Sequence, residues 1–344
     1  MRQFLMGNEI LARAAYDAGA KIMFGYPITP VTEVFATWVR LINNSQRLGL
    51  QTEDEIAAGF GVCGAVLAGE RAFTATGGPG MILMQDPLSM AEAMRLPMVV
   101  FDGQRGGPST GQVIYSQQEV NLAIYGGNGE GLRLVYSTST LGELYDYGKK
   151  VFEVAWQYRF PTILLYDGYQ GKMKGEVEIQ QTTDNRQQTT LKLEPILTGN
   201  MRNTYNLEEE LGEVVQNSKA DFDKAAPKLV EYETKETEDA QIIILAHGIV
   251  ASAAKKAVEK LREKGLKVGL LRPITLSPFP EEAVSRAIER VRQVIVFESS
   301  LGQFSRLVKA HEYGLEVPIV EIQKPGVGFT PEEIEQKVKS YLGK

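Results

Sequence analysis

Cysteine and histidine are scarce in this 344-residue sequence, which contains one cysteine, Cys63, and two histidines, His247 and His311. An iron–sulfur cluster typically needs four cysteine ligands, and a structural zinc ion needs four cysteine or histidine ligands, so the chain alone can hold neither. A single cysteine also excludes a disulfide framework. It is typical of a reducing compartment, and we expect the protein to be cytoplasmic.

Neither an excess of basic residues nor a long apolar run is present. The chain has 37 Lys and Arg against 43 Asp and Glu, and its net charge is −6. This balance argues against nucleic acid or an anionic membrane as the main partner. No run approaches the about 20 apolar residues of a membrane span. The N-terminus is not typical of a signal peptide, because it predicts an amphipathic helix capped by Asn8.

Two nucleotide-binding signatures are absent or out of context. The sequence contains no GxxxxGK[ST] loop. Gly59, Gly61 and Gly64 match G-x-G-x-x-G, but this fingerprint must follow a strand and open a helix. The preceding TEDEIAA (52–58) is instead a helix start, and its carboxylates would repel a pyrophosphate. Close helix packing is the preferred interpretation of these glycines, and an NAD-dependent dehydrogenase remains an alternative.

Apolar strand patterns alternate with helix patterns through most of the chain. This predicts βαβ units and an α/β fold with a parallel sheet that has helices on both faces. Residues 1–175 form the first predicted domain and residues 239–344 a second, smaller α/β domain. The interval 176–238 is polar and weakly periodic, and we interpret it as an extended linker.

Three polar side chains follow predicted strands, at the edge where open α/β sheets bind ligands. Thr29 lies between two prolines, where it could equally be a helix N-cap. Glu55 begins the small-residue helix, and its plain explanation is a favourable interaction with the helix dipole. Arg105 offers a bidentate fork for a carboxylate, although a surface arginine in a loop is as common. Together they predict one acid and one carboxylate-binding pair.

Six segments in combination resemble the α subunit of 2-oxoacid:ferredoxin oxidoreductases, and so do two segments of the second unit. They are GNEI (7–10), GYPITPVTE (25–33), EDEIAAGFGVCGAVLAG (53–69), TATGGPGMILMQD (76–86), QRGGPSTGQ (104–112) and YRFPTILLYDGY (158–169), followed by EKGLKVGLLRPITLSPFPEEAV (263–284) and VIVFESSLGQFSRLV (294–308). The resemblance implies a thiamine diphosphate pyrimidine-binding domain followed by a transketolase-C-terminal-like domain.

The resemblance also implies roles for individual residues. Glu55 would hydrogen-bond the aminopyrimidine ring and so promote formation of the thiazolium ylide, while Tyr26, Pro27 and Ile28 would contribute to cofactor binding. Thr29 and Arg105 match the family positions that hold the substrate carboxylate. The implied reaction is oxidative decarboxylation of a 2-oxoacid with coenzyme A, which gives acyl-CoA, CO2 and reduced ferredoxin.

One family feature of thiamine enzymes is missing, because the chain has no Gly-Asp-Gly motif for Mg²⁺ and the diphosphate. The resemblance therefore implies that Mg²⁺, the diphosphate site and the iron–sulfur clusters lie on other subunits. A β subunit is expected, with γ and δ subunits possible, and no metal site is expected on this chain. The chain would supply half of an active site.

Substrate signals are mixed. PSTGQ (108–112) resembles the 2-oxoglutarate-using members, whereas GNEI, RPITLSPFP (272–280) and DGYQGKM (167–173) resemble the branched-chain members. We place 2-oxoglutarate slightly ahead, 2-oxoisovalerate second and pyruvate third. A non-catalytic assembly subunit, in which the acidic helix start is only a solvated face, is the remaining alternative.

Overall fold

Strands and helices alternate along the first half of the chain. The computed structural model describes residues 1–179, 202–311 and 317–342. The strands of the first half are β1 (Arg2–Met6), β2 (Ile22–Gly25), β3 (Leu48–Gln51), β4 (Ala72–Thr76), β5 (Val99–Gln104), β6 (Leu134–Ser137), β7 (Thr162–Asp167) and β8 (Lys174–Glu178). Its helices are α1 (Gly7–Asp17), α2 (Thr32–Leu41), α3 (Glu55–Leu67), α4 (Pro79–Leu83), α5 (Gln85–Ala93), α6 (Val120–Tyr125), α7 (Leu141–Tyr158) and α8 (Gly168–Lys172).

The second half begins with a long helix and continues as a second α/β unit. Its strands are β9 (Tyr232–Lys235), β10 (Ile242–Leu245), β11 (Val268–Pro273), β12 (Thr275–Ser277), β13 (Gln293–Glu298) and β14 (Ile319–Gln323). Its helices are α9 (Glu208–Leu229), α10 (Gly248–Glu263), α11 (Glu281–Ile288), α12 (Gln303–His311) and α13 (Pro331–Leu342). No helix in the described ranges is long and apolar enough to cross a membrane.

Two mostly parallel sheets organise the fold. The larger has seven strands in the order β12-β6-β7-β5-β4-β2-β3, and the smaller has five in the order β14-β13-β10-β11-β9. Only β12 and β9 run antiparallel to their neighbours in these sheets as described. β1 and β8 form a separate antiparallel pair. The predicted α/β class is confirmed.

The central strands of the larger sheet are buried on both faces, as their apolar sequences predict. Every residue of β4, β5, β6 and β7 is buried. One face carries an aromatic cluster in which Phe73 contacts Trp38 and Phe152 edge-on, at ring distances of 5.1 and 5.7 Å. Cys63, on α3, packs in the core on the other face of the sheet, and its burial raises the pKa of its thiol to about 12. This cysteine is a core residue and not a nucleophile.

The interval 176–238 contains more regular structure than its sequence predicts. Residues 208–229 are helical rather than extended, and β9 joins the five-stranded sheet. Phe222 and Leu229 of α9 pack onto the core of the first unit, with Phe222 edge-on to Phe160 at 5.2 Å. Residues 180–201 lie outside the described ranges. The domain limits at 175 and 239 stay a prediction.

An ion pair between a buried arginine and a half-buried glutamate joins the two units. The guanidinium of Arg272, on β11, donates to both carboxylate oxygens of Glu143 at 2.7 and 2.6 Å and to the Ser137 carbonyl at 3.1 Å. Burial favours the protonated form of Glu143, but hydrogen bonds and charge from Arg272 outweigh it and lower the pKa of Glu143. β12 adds to this junction, because it pairs with β6 across the boundary.

Replacing Arg272 with methionine should destabilise the full chain by about 2–3 kcal/mol, because the half-buried Glu143 would lose its charge-assisted hydrogen bonds to a buried guanidinium. The free energy of unfolding from a urea titration measures this effect. Lys219→Met is the matched control, because it removes an exposed i,i+4 pair with Asp223 and should hardly move the midpoint. Equal midpoints for Arg272→Met and wild type would contradict this account of the junction.

Candidate active site

The predicted site residues lie at one edge of the seven-stranded sheet. β5, β4, β2 and β3 are consecutive, parallel neighbours in that sheet. The loops after these strands begin at Arg105, Gly77, Tyr26 and Thr52, and all leave from the carboxyl edge. This edge is where open α/β sheets bind ligands.

Three consecutive acids at the start of α3 have three different environments. Glu53 is exposed, and Asp54 is the N-cap, with its carboxylate accepting from the Ala57 N–H at 2.7 Å. Glu55 is the first helical residue and is only 4 % exposed. Burial raises the pKa of Glu55, the neighbouring charge of Asp54 acts in the same direction, and Arg105 opposes both. The carboxyl therefore holds a proton more readily than a solvated glutamate does.

A glycine-rich turn, Gly77–Gly80, lies against this carboxyl. A Cβ at Gly80 would be 2.4 Å from Glu55 Oε1 and 2.3 Å from Thr76 Oγ1, so only glycine allows the close approach. Gly78 adopts a positive φ of 58°, and a Cβ there would be 2.4 Å from Arg105 Nε. The Thr76 hydroxyl is buried and has no hydrogen-bond partner among the described residues. The Gly77–Gly80 turn thus lies between the two side chains, with Gly80 against Glu55 and Gly78 against Arg105.

Arg105 contacts the backbone of Thr29, and their predicted role in holding the substrate carboxylate stays a prediction. Arg105 is 6 % exposed, and its Nη1 donates to the Thr29 carbonyl at 2.8 Å. Its Nε has no protein partner among the described residues. Thr29 itself is exposed and does not cap α2, whose N-cap is Val31. A buried guanidinium with an unused N–H can bind an anion at this edge.

Tyr26, Pro27 and Ile28 follow β2, one strand away from the loop that leads to Glu55. Tyr26 is 38 % exposed and Pro27 is also exposed, whereas Ile28 packs against the core. The two loops are held together by the Thr52 N–H, which donates to the Gly25 carbonyl at 3.0 Å. These three residues therefore share the sheet edge with Glu55, and their predicted cofactor role stays a prediction.

Asn8 was predicted to cap the first helix and instead lies inside it. α1 begins at Gly7, and the Asn8 side chain is completely buried. Its amide donates to the Pro30 carbonyl at 2.7 Å and to Glu33 at 2.8 Å, and it accepts from the Tyr166 hydroxyl at 2.9 Å. These hydrogen bonds fix the position of the segment that carries Thr29. The prediction failed because a cap depends on where β1 ends, and that is not visible in the local pattern.

Two buried carboxyl groups next to the site, Glu119 and Asp102, were not identified from the sequence. Glu119 accepts from the backbone N–H groups of Gly78 and Arg105, each at 2.8 Å. Asp102, on β5, is completely buried next to it. The signal that could have found Asp102 is an acidic residue inside the otherwise apolar strand LPMVVFDG (96–103).

The glycines of the G-x-G-x-x-G match lie within α3 and not at a strand-to-helix turn. A Cβ at Gly59 would be 2.3 Å from Pro87, and one at Gly61 would be 2.5 Å from Phe24, whereas Gly64 has open space around it. Two of the three glycines therefore serve close packing. Their place inside the helix does not suit pyrophosphate binding, which uses free N–H groups at a helix start.

Comparison with protein-family models matches residues 13–254 to the thiamine diphosphate-binding domain of pyruvate flavodoxin/ferredoxin oxidoreductases. Residues 240–334 match core domain II of pyruvate:ferredoxin oxidoreductase. The chain therefore belongs to this family of thiamine diphosphate-binding oxidoreductases, and the resemblance inferred from the sequence is confirmed.

Named relatives fall into two substrate groups. The chain is 34 % identical over 316 residues to the ketoisovalerate oxidoreductase subunit VorB of Methanothermobacter marburgensis, with 89 % of each chain covered. It is 32 % identical over 364 residues to the 2-oxoglutarate synthase subunit KorA of Methanocaldococcus jannaschii, with 98 % of this chain and 99 % of the relative covered. The names of the relatives therefore support a 2-oxoacid:ferredoxin oxidoreductase subunit and leave the 2-oxoacid open.

A solved structure resembles the whole chain. It is the 2-oxoglutarate:ferredoxin oxidoreductase from Magnetococcus marinus with 2-oxoglutarate, coenzyme A and succinyl-CoA bound, at a TM-score of 0.87 and 26 % identity. The match covers 98 % of this chain and spans 65 % of the length of that one. A split-gene transketolase with a TM-score of 0.60 and 14 % identity shares the fold alone.

Proposed function

We propose that this chain is the α subunit of a coenzyme A-acylating 2-oxoacid:ferredoxin oxidoreductase and supplies half of its thiamine diphosphate site. The observation that carries the proposal is the buried Glu55, whose raised pKa and contact with the Gly77–Gly80 turn suit a protonatable ring nitrogen. The unpartnered Thr76 hydroxyl beside it offers a further polar contact. These residues fit the aminopyrimidine half of the cofactor.

The roles of the residues follow from their positions. When bound, thiamine diphosphate supplies a carbon nucleophile and an electron sink for decarboxylation. Glu55 holds a proton at its carboxyl and exchanges it with the ring nitrogen. Arg105 binds the substrate carboxylate through the N–H groups that do not bond Thr29, and the Thr29 hydroxyl assists from the adjacent loop. Gly78 and Gly80 allow the turn to lie close to both Arg105 and Glu55.

The rest of the machinery belongs to partner subunits in this proposal. Mg²⁺, the diphosphate-binding Gly-Asp-Gly motif and the iron–sulfur clusters lie on a β subunit, with γ or δ subunits in some assemblies. This chain has neither the motif nor enough cysteines to provide them. Ferredoxin accepts the electrons, and coenzyme A accepts the acyl group.

For the substrate we keep 2-oxoglutarate first, supported by the bound ligand of the similar solved structure. A branched-chain 2-oxoacid is the second candidate. The loop 106–118 after Arg105 contains no charged residue and exposes Val113 and Ile114. Such a loop suits an apolar substrate side chain better than a second carboxylate.

The test is to purify the complex through this chain and measure methyl viologen reduction with 2-oxoglutarate, 2-oxoisovalerate and pyruvate, each with coenzyme A. We expect a chain with Gly-Asp-Gly and clustered cysteines to co-purify. Thiamine-dependent reduction should be strongest with one of the first two acids. A complex that reduces the dye with none of the three would overturn the proposal.

A further inference from the structure

Glu119 connects the two loops that form the site. It lies immediately before α6, but its side chain does not cap that helix. Its Oε2 accepts from the Gly78 N–H and its Oε1 from the Arg105 N–H, each at 2.8 Å. One carboxylate therefore fixes the turn after β4 relative to the start of the loop after β5. Hydrogen bonds to an ionised acceptor are the strong kind, so this is a firm connection.

The two bonds control the distance between the chemical groups of the site. The turn held by Glu119 through Gly78 continues to Gly80, which abuts the Glu55 carboxyl. The other bond holds the backbone of Arg105, whose guanidinium lies across Gly78. A shift of either backbone would change the spacing between Glu55 and Arg105. Glu119 touches neither proposed ligand and acts through these neighbours.

Asp102 completes the arrangement. It is completely buried in β5 next to Glu119, and neither of its oxygens accepts a hydrogen bond from a described residue. Two ionised carboxylates in contact in a buried place repel strongly. Burial raises the pKa of both groups, but the two backbone N–H groups and the charge of Arg105 stabilise ionised Glu119. Glu119 accepts two backbone N–H groups and Asp102 accepts none, so we place the shared proton on Asp102, from which it can be donated to Glu119.

The charges around the pair balance with one shared proton. Arg105 contributes one positive charge, and the singly protonated pair contributes one negative charge. Tyr166, on β7, is also near Asp102, and burial raises its pKa so that its hydroxyl stays neutral.

We propose that Asp102 and Glu119 are a proton-sharing positioning pair, in which Asp102 donates to Glu119 and Glu119 holds the Gly78 turn and Arg105 at the spacing that the substrate carboxylate requires. The kinetic consequence rests on the function proposed above. The shared proton itself is a property of this chain and does not depend on that function.

The kinetic test uses the complex with its partner subunits. Glu119→Gln leaves one of the two backbone N–H groups without a carboxylate oxygen and should raise KM for the 2-oxoacid about tenfold, the effect of one lost charge-assisted hydrogen bond, with a smaller change in kcat. Asp102→Leu removes the donor and should do the same. Asp102→Asn keeps an N–H donor toward Glu119 and should restore KM to within about threefold of wild type.

Glu92→Gln is the matched control. Glu92 is also buried, accepts the Glu130 N–H at 3.0 Å and faces Arg133 at 3.5 Å. It lies near the end of α5 from which the chain enters β5, whereas Arg105 follows the other end of that strand. Its substitution should leave KM unchanged. Equal KM increases for Asp102→Leu and Asp102→Asn would overturn the proposal.

An infrared spectrum tests the proton without any turnover. The full chain with ¹³C-labelled aspartate carboxyls should show the carbonyl stretch of a protonated carboxyl at neutral pH. Asp102→Asn should remove the Asp102 component, and Asp167, which is also buried and has a raised pKa, should account for any component that remains. Absence of the Asp102 component in the wild type would overturn the pair even if the kinetic changes occur. A wild-type complex without 2-oxoacid activity would overturn the proposed function. The infrared spectrum would then still decide whether Asp102 and Glu119 share a proton. If Asp102→Leu fails to fold, wild type and Asp102→Asn still provide this comparison.

Discussion

Replacing Glu55 with glutamine should lower the thiamine-dependent turnover of the assembled complex by about 10²–10⁴-fold, the usual contribution of a positioned proton-transfer group. The amide is nearly isosteric and can still form a hydrogen bond, so the cofactor should remain bound. It cannot exchange a proton with the ring nitrogen. Methyl viologen reduction at saturating 2-oxoacid, coenzyme A and thiamine diphosphate measures the change.

Glu53→Gln is the control for this experiment, because Glu53 carries the same charge two residues earlier and is exposed. It should retain wild-type turnover. If Glu55→Gln also retains it, the acidic helix start is only a solvated or capping feature, and the non-catalytic assembly role becomes the better account of the chain.

Replacing Arg105 with glutamine should raise KM for the 2-oxoacid about 10²-fold. The substituted side chain loses the positive charge and the bidentate fork, and two charge-assisted hydrogen bonds to a carboxylate are worth about this much. Arg105→Lys should recover only part of the loss, because a lysine ammonium cannot present two parallel N–H groups. Initial rates across a concentration series of the preferred 2-oxoacid give KM and kcat separately.

Arg40→Gln controls for loss of a positive charge, since Arg40 is an exposed residue of α2 with 67 % of its side chain accessible. Its KM should equal that of the wild type. An unchanged KM in Arg105→Gln would show that the substrate carboxylate binds elsewhere, on the partner subunit or on another loop.

Local patterns predict much of this fold. The sequence predicts a helix from about Leu141 to Tyr158, and α7 has these limits, because Thr140 caps it and its apolar face is continuous. The apolar runs LPMVVFDG (96–103) and TILLYDG (162–168) predict strands, and β5 and β7 lie within them. Of the adjacent acids Glu53, Asp54 and Glu55, the sequence favours Glu55 because it adjoins the small-residue helix face, and Glu55 is the buried one. In these cases the decisive interactions lie within a few residues of sequence.

Local sequence patterns do not predict the features that depend on contacts between distant parts of the chain. Helix α9 has a polar, weakly periodic sequence and gains order by packing Phe222 and Leu229 onto a distant core. β12 leaves the second unit to pair with β6, a connection that no local signal shows. The contact between Asp102 and Glu119 joins residues from a strand and a distant loop end, and each alone is an ordinary carboxylate.

The central claim is that this chain holds one half of a thiamine diphosphate site and a partner subunit holds the other. Calorimetric titration of thiamine diphosphate with Mg²⁺ into this chain alone, the partner alone and the assembled complex tests it most directly. We predict tight binding by the complex and far weaker binding by either subunit. Equally tight binding by this chain alone, or no binding by the complex, would contradict the account.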